Sequence, residues 1–193
     1  MRYQELDEKS LVAYCVNHDQ QAQEELYTRY ATRVFTLCLR YSDNRDEAQD
    51  LLHAAFLKAL ENIHTFRYQG DGSLLAWISR IAINTALAYI RRYKLHFVFL
   101  ESYTSSSLPE PSDEEFDRIS IDKLLELISK LPDIQRAIFN MYCLDGYSHK
   151  EIAQQLHISE RGSTSLLAKA KNRLRKQINE YIKNSDKDET TGR

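Results

Sequence analysis

The sequence predicts an all-α fold of two helical domains joined by a flexible linker. Apolar residues recur at helical spacing along most of the chain. Five glycines and three prolines are few for 193 residues, which favours long helices over a turn-rich β architecture. One stretch, residues 101–117, breaks the pattern with serines, two prolines and an acidic run. We therefore expect domains at residues 10–98 and 118–183, a linker at 99–117 and a polar tail at 184–193.

Composition and charge are typical of a soluble globular protein, with 42% hydrophobic and 28% charged residues. The formal net charge of −2 does not indicate nucleic-acid binding by itself, so such a function must depend on how charges are distributed. No run of about 18 apolar residues is present, and the mixed charges of residues 1–9 do not fit a signal peptide. These features predict a cytoplasmic protein with no membrane insertion.

The chain carries no motif typical of a metal site or of catalysis. Cys15, Cys38 and Cys143 are odd in number and widely spaced, so we expect buried or half-buried structural thiols. His149 and His157 are too far apart for a helical i, i+4 metal pair and are interpreted as surface or capping residues. Without a phosphate-binding loop or nucleophile motif, no enzyme, cofactor or metal is predicted.

The first domain is predicted to contain several amphipathic helices. Two of them have apolar faces at helical spacing. The first face comprises Leu26, Tyr30, Val34, Leu37 and Tyr41, and the second comprises Leu51, Leu52, Ala55, Phe56 and Ala59. Residues 42–46 between them read as a turn that also offers N-cap side chains.

A glycine-containing loop, residues 68–73, precedes a helix predicted from Leu74 to about Tyr93. No Asp or Glu occurs from Ser73 to Leu100. One stripe of this helix has Trp77 at its margin, and the opposite side would face the core. The stripe comprises Arg80, Asn84, Leu87, Arg91 and Lys94.

These residue types suit single-stranded nucleic acid. Cations follow phosphates, an Asn can read a base edge, and aromatic rings stack on unpaired bases. Glycines let backbone approach a splayed base closely. The alternative, which the stripe alone leaves open, is that Trp77 belongs to the core and the arginines are merely solvated.

The second domain has the pattern of a helix-turn-helix. A helix is predicted from Asp133 to about Leu144, followed by a break at Gly146. Ser148 and Glu151 have the spacing of a capping box and open a short helix to His157. After a turn in which Ser159 is a plausible N-cap, the last helix is rich in lysine and arginine.

A short helix, a tight turn and a basic second helix together indicate a DNA-reading helix-turn-helix. The candidate DNA contacts are Arg161, Thr164, Ser165, Lys169, Lys171 and Arg173. The alternative is the corner of a helical bundle with a solvated basic face.

Several motifs, in order, resemble those of the extracytoplasmic function (ECF) sigma factors of bacterial RNA polymerase. The segments at residues 25–30, 46–52 and 56–59 resemble the first parts of conserved region 2. Residues 72–84, followed by Tyr89-Ile90-Arg91-Arg92, are similar to its later signature. Residues 131–133 and 147–153 resemble region 4.

The resemblance implies that the first domain binds the clamp helices of the polymerase β′ subunit and the −10 promoter element. Polymerase contact would involve the helix with Asp50, Leu51, His53 and Phe56. The loop and the following helix would capture a flipped base and hold the melted strand. The residues implied there are Phe66, Arg67, Gly70, Ser73, Trp77, Arg80, Asn84, Arg91, Arg92 and Lys94.

The resemblance further implies that the helix after Ser159 enters the major groove of the −35 element, and that the β flap is a second polymerase contact. It also implies an anti-sigma factor, so that the free chain is a monomer or forms a heterodimer with that protein. The recognition helix departs from the usual family pattern, with Arg161 and Leu166 at atypical positions.

Two other classes of function compete with this interpretation. A DNA-binding regulator with a helical sensing domain explains the helix-turn-helix but not the acid-free helix and its glycine loop. A protein-binding adaptor explains neither basic helix.

Overall fold

The structure, a computed structural model, describes residues 3–93 and 119–191. In these two ranges every regular element is a helix, and no strand occurs. The chain divides into two compact units between Tyr89 and Ile90. The prediction of an all-α protein with two helical domains is therefore confirmed. The predicted linker, residues 99–117, and Lys94 lie outside the described residues.

The first unit contains four α-helices: α1 (Glu8–Val16), α2 (Gln20–Tyr41), α3 (Arg45–Glu61) and α4 (Ser73–Tyr93), whose last four residues fall beyond the division. Two short 3₁₀ helices, Tyr3–Glu5 and Ile63–Thr65, complete it. Because a helix leaves its first N–H groups without partners, polar residues at the helix starts supply acceptors. The side chains of Asp7, Asp19 and Asn44 accept backbone N–H groups at the starts of α1, α2 and α3.

Burial in the first unit follows the predicted helical faces closely. Leu26, Val34 and Leu52 are almost fully buried, and so is Cys38. Burial raises the pKa of Cys15 and of Cys38 to about 11, so both stay protonated thiols at neutral pH. Cys143, in the second unit, is exposed, which corrects the expectation that all three thiols are at least half-buried.

The second unit also contains four helices: α5 (Ile121–Ser129), α6 (Asp133–Phe139), α7 (His149–Leu156) and α8 (Glu160–Thr191). The predicted helix to Leu144 is present, but its last turn, Asn140–Leu144, is wound as a π-helix. α8 continues to Thr191, so most of the segment predicted as a polar tail is helical.

One cluster of buried residues in the second unit joins α5 to α8. Leu127 and Ile128 of α5 pack with Leu174, Ile178 and Ile182 of α8. The spacing of the three α8 residues is four, the period that places side chains on one face of a helix. This packing fixes the axis of α8, whose first turns carry the candidate DNA contacts.

α4 is long and apolar enough to span a membrane by length and composition alone. Its Leu74, Ile78 and Ala82 are buried in the protein. A helix of a soluble core passes the same test, so this one candidate is weak evidence for a membrane span.

Candidate nucleic-acid interface

The loop before α4 is held in a conformation that requires glycine. Gly70 and Gly72 have φ angles of +108° and +86°, a region that other residues rarely adopt. The Ser73 N–H donates to the Gly70 carbonyl at 3.2 Å, and the Ser73 hydroxyl accepts from the Gln69 N–H at 3.2 Å. The loop thus has a defined shape at the point where α4 begins.

Glu8 of α1 anchors this loop through a contact that was not predicted from the sequence. Its carboxylate accepts the backbone N–H of Gly72 at 3.0 Å and that of Leu74 at 3.1 Å. The Tyr30 hydroxyl donates to the same carboxylate at 3.1 Å. More than 60 residues separate Glu8 from the loop, so no local sequence signal could have revealed the contact.

Two aromatic residues on either side of the loop glycines pack against each other. Phe66 is buried, and its ring packs against that of Trp77 with centroids 5.6 Å apart and planes inclined by 63°. Trp77 is half-buried. Arg67 is exposed, and its guanidinium donates to the carbonyls of His64 and Phe66. Trp77 therefore belongs partly to the core and partly to the surface, between the two alternatives that the sequence left open.

Only some residues of the predicted stripe on α4 are exposed to solvent. Arg80, Asn84 and Arg92 are exposed, and Arg91 is half-buried. Leu87 lies on the same stripe but is fully buried, so the prediction that it belongs to an exposed face is wrong. The 3.6-residue period sets which residues share a stripe, but not which stripe the rest of the fold covers.

The four residues predicted to face polymerase on α3 divide into two pairs. Asp50 and His53 are exposed, whereas Leu51 and Phe56 are buried with only 4% and 3% of their surface exposed. Leu51 and Phe56 are therefore core residues, and their side chains are not accessible to a partner in this structure. Leu57, which was not predicted, is 63% exposed on the same side as Asp50 and His53.

The second unit has the predicted helix-turn-helix. The capping box of Ser148 and Glu151 opens α7, and His157 ends it in the left-handed conformation with φ of +54°. The Ser159 hydroxyl accepts the N–H of Gly162 at 2.9 Å at the start of α8. The predicted cap and turn positions are thus confirmed.

The candidate DNA contacts on α8 do not all share one face. Arg161 and Thr164 are exposed, and Ser165 and Lys169 are half-buried beside them. Residues two apart on a helix are about 200° apart, so Lys171 and Arg173 point to opposite margins. Lys171 turns toward Tyr142, with Nζ 6.0 Å from the ring centroid.

A buried polar contact joins the two helices of the helix-turn-helix. The Ser163 side chain of α8 is fully buried, and its hydroxyl lies 2.9 Å from Nδ1 of His149. The His149 ring stacks on Tyr142 at 4.5 Å between centroids. The sequence had suggested only a surface or capping role for His149. Among the described residues no group of three His, Cys, Asp or Glu side chains could hold a metal ion.

Fold and surfaces together define a helical DNA-binding protein with a separate helix-turn-helix unit, and the sequence matches two family descriptions in that order. Residues 26–95 match "Sigma-70 region 2", and residues 121–174 match "Sigma-70, region 4". The first match begins within α2 and includes α3 and α4, and the second extends from α5 to the middle of α8.

Curated relatives are similar over most of the chain. The ECF RNA polymerase sigma-E factor of Escherichia coli K12 is 32% identical over 161 residues, covering 78% of this chain and 83% of that protein. The ECF sigma factor SigM of Bacillus subtilis is 25% identical over 160 residues, covering 82% and 96%. The chain therefore belongs to the ECF sigma factors of bacterial RNA polymerase. It is a transcription initiation factor that directs polymerase to promoters.

Two solved structures align with most of the chain at low sequence identity. One is RpoE of Bartonella quintana in complex with the anti-sigma factor NepR, with a TM-score of 0.49, 19% identity and coverage of 81% and 96%. The other is CnrH in complex with the cytosolic domain of CnrY, with a TM-score of 0.45, 16% identity and coverage of 88% and 95%. The family assignment depends on the sequence matches.

Proposed function

We propose that the loop of residues 66–73 and the outer side of α4 hold the melted strand of the −10 promoter element. The observation that carries this proposal is the junction of a glycine-shaped loop, a half-buried Trp77 and an exposed Asn84. An unpaired base can stack on the exposed part of the indole, while an Asn side chain can donate to and accept from a base edge.

Charge supports the same assignment. No acidic residue occurs from Ser73 to Leu100, so the strand meets Arg80 and Arg92 without a competing carboxylate on α4. Phe66 is buried, so we assign it to supporting Trp77 rather than to stacking on a base. Arg67, Arg91 and Lys94 complete the proposed phosphate contacts, and Gly70 and Ser73 give the loop its shape.

We assign recognition of the −35 element to the first turns of α8. Arg161, Thr164, Ser165 and Lys169 are the candidates for the groove-facing side, since the N-terminal part of a recognition helix is what reaches base edges. Lys171 and Arg173 point to the two margins, where cations would meet the phosphate backbones flanking the groove.

Core polymerase binding is assigned to the outer side of α3. Asp50 and His53 are exposed there, and Leu57 adds an apolar side chain that is 63% exposed. A solvent-exposed leucine flanked by polar residues is the kind of contact that the helices of a clamp can cover. Leu51 and Phe56 would act indirectly by fixing the helix. The β′ clamp helices are the proposed partner here, and the β flap is the proposed partner of the second unit.

The factor is proposed to perform no chemistry of its own, because polymerase makes the RNA and the factor contributes binding energy that differs between closed and open promoter. We further propose that the chain acts in the cytoplasm as a monomer, or as a heterodimer with an anti-sigma factor.

The test is the Asn84→Ala variant, assayed with core polymerase on a cognate promoter. Promoter opening should fall about tenfold, the effect of losing a base contact worth roughly 1–3 kcal/mol. Affinity for core polymerase should stay unchanged because Asn84 is on α4, whereas the proposed polymerase contacts are side chains of α3. Glu24→Gln, an exposed change on α2, is the control.

Equal loss of opening and of core binding by Asn84→Ala contradicts the assignment of Asn84. A wild-type chain that binds duplex DNA tightly by itself and never associates with polymerase contradicts the whole proposal and favours a DNA-binding regulator.

A further inference from the structure

Four hydrogen bonds converge on one carboxylate at the start of α4. Glu8 Oε1 accepts the Gly72 N–H at 3.0 Å and the Tyr30 hydroxyl at 3.1 Å. Its Oε2 accepts the Leu74 N–H at 3.1 Å, with the Ser73 hydroxyl at 3.5 Å. One side chain of α1 thereby connects α2, the glycine loop and the first turn of α4.

The sequence of α4 explains why this carboxylate is needed. The helix has no acidic residue in its first turn, although the first N–H groups of any helix need acceptors. The Ser73 hydroxyl cannot supply them all, because it accepts from the Gln69 N–H in the loop. A negative charge at a helix N-terminus is also favoured by the helix dipole. Glu8 therefore caps α4 from a different helix.

The Glu8 carboxylate also limits which ligands can bind at the N-terminus of α4. The N-terminus of a helix is a ready site for phosphate, since its N–H groups and dipole both attract anions. In this protein Glu8 already occupies two of those N–H groups, and its charge repels a second anion at contact distance. Phosphates near the loop are thereby left with Arg67 in the loop and with the cations farther along α4, of which Arg80 is the first.

We propose that Glu8 is a positioning residue for promoter opening, an inference that rests on the proposed −10 function of the loop. Glu8 fixes the loop in the shape that presents Trp77 and Asn84, and it keeps the phosphates of the melted strand away from the start of α4. The strand is thereby set in register on the Arg80 side of the helix.

The experiment compares Glu8→Ala and Glu8→Gln with Glu24→Gln as the matched control on an exposed surface. Promoter opening by the holoenzyme is followed by the reactivity of unpaired thymines. Opening should slow about five- to tenfold for Glu8→Ala, the range expected when a helix cap is lost. Glu8→Gln, which keeps an acceptor oxygen, should lose less. Glu24→Gln should match wild type.

A second measurement separates positioning from general stability. Hydrogen exchange of the Gly72 and Leu74 amides should accelerate in Glu8→Ala, while affinity for core polymerase stays within about twofold of wild type. Tyr30→Phe removes one bond to the carboxylate and keeps both backbone bonds, so its opening should remain close to wild type.

Three results overturn the inference. Opening at the wild-type rate by Glu8→Ala overturns it alone and leaves the proposed −10 function standing. A parallel loss of core binding and opening shows that Glu8 only stabilises the fold, and so does a Tyr30→Phe defect as large as that of Glu8→Ala. If wild-type holoenzyme opens no promoter, the proposed function and the inference fall together.

Discussion

Ser163 shows how one residue can connect the halves of the helix-turn-helix. A buried hydroxyl without a partner is costly, at about 1–3 kcal/mol. Ser163 is fully buried and has Nδ1 of His149 at 2.9 Å, while the half-buried His149 ring lies against Tyr142. The contact joins α7 to the recognition helix α8 at the turn that sets their crossing.

A double-mutant cycle on this pair gives an asymmetric prediction for unfolding. His149→Phe keeps a ring for Tyr142 but removes the partner of a buried hydroxyl, so it should lower the free energy of unfolding by about 1–3 kcal/mol. Ser163→Ala should cost less, because water can reach a half-buried imidazole. The double variant should recover part of the loss. Chemical denaturation of the four proteins measures these values.

An unchanged stability of His149→Phe would count against this account. It would indicate that the Ser163 hydroxyl turns to the Ser159 carbonyl four residues earlier, as serine side chains in helices can do.

At the scale of elements, most of the architecture could be predicted because it depends on local sequence. The capping box at Ser148 and the turn at Ser159 are where the sequence placed them, and α4 begins one residue before the predicted Leu74. These signals act within a few residues. The cap on α4 from Glu8 could not be predicted, since it depends on how α1 packs against the loop.

Exposure is the second limit of prediction at this scale. Helical period placed Leu87 on a stripe with Arg80 and Asn84, and the family resemblance grouped Leu51 and Phe56 with Asp50 as polymerase contacts. Burial depends on what covers each stripe, and the structure shows Leu87, Leu51 and Phe56 inside. Solvent exposure was therefore predicted more accurately for the charged and polar candidate residues, because such residues are seldom buried unless they are paired.

Two substitutions on α3 should distinguish the role of its buried side from that of its exposed side. Leu57→Gln changes a side chain that is 63% exposed, so stability should change by no more than about 0.5 kcal/mol. Core polymerase binding should nevertheless weaken by about tenfold, as for loss of one apolar contact at an interface. Leu51→Ala should instead lower stability by about 2–5 kcal/mol.

Val16→Gln is the control for this experiment, because it makes a similar change at an exposed apolar residue of α1. Thermal unfolding and a binding titration with core polymerase report the two quantities. Equal binding by Leu57→Gln and wild type would remove Leu57 from the proposed polymerase surface.

On the scale of the whole molecule, the net charge is small but the charged residues are unevenly distributed among the helices. The net charge is −2, with 28 acidic and 26 basic residues, yet α4 has no acidic residue and the first half of α8 is rich in cations. A protein with this balance should bind non-specific DNA weakly when free, because its overall field does not attract a polyanion. Promoter binding should therefore depend mainly on the holoenzyme.

The salt dependence of promoter binding tests whether α8 contacts phosphates. Each phosphate contact releases counterions, so a lost contact lowers the slope of log affinity against log salt by about one unit. Lys171→Ala should show this decrease in the holoenzyme, and Lys171→Ala with Arg173→Ala should show about two units. Lys183→Ala makes the same change in charge at an exposed residue about 20 Å farther along the helix, and its slope should match wild type. A slope unchanged in the double variant would exclude Lys171 and Arg173 from the phosphate backbone and leave Arg161 and Lys169 as the candidate cations of α8.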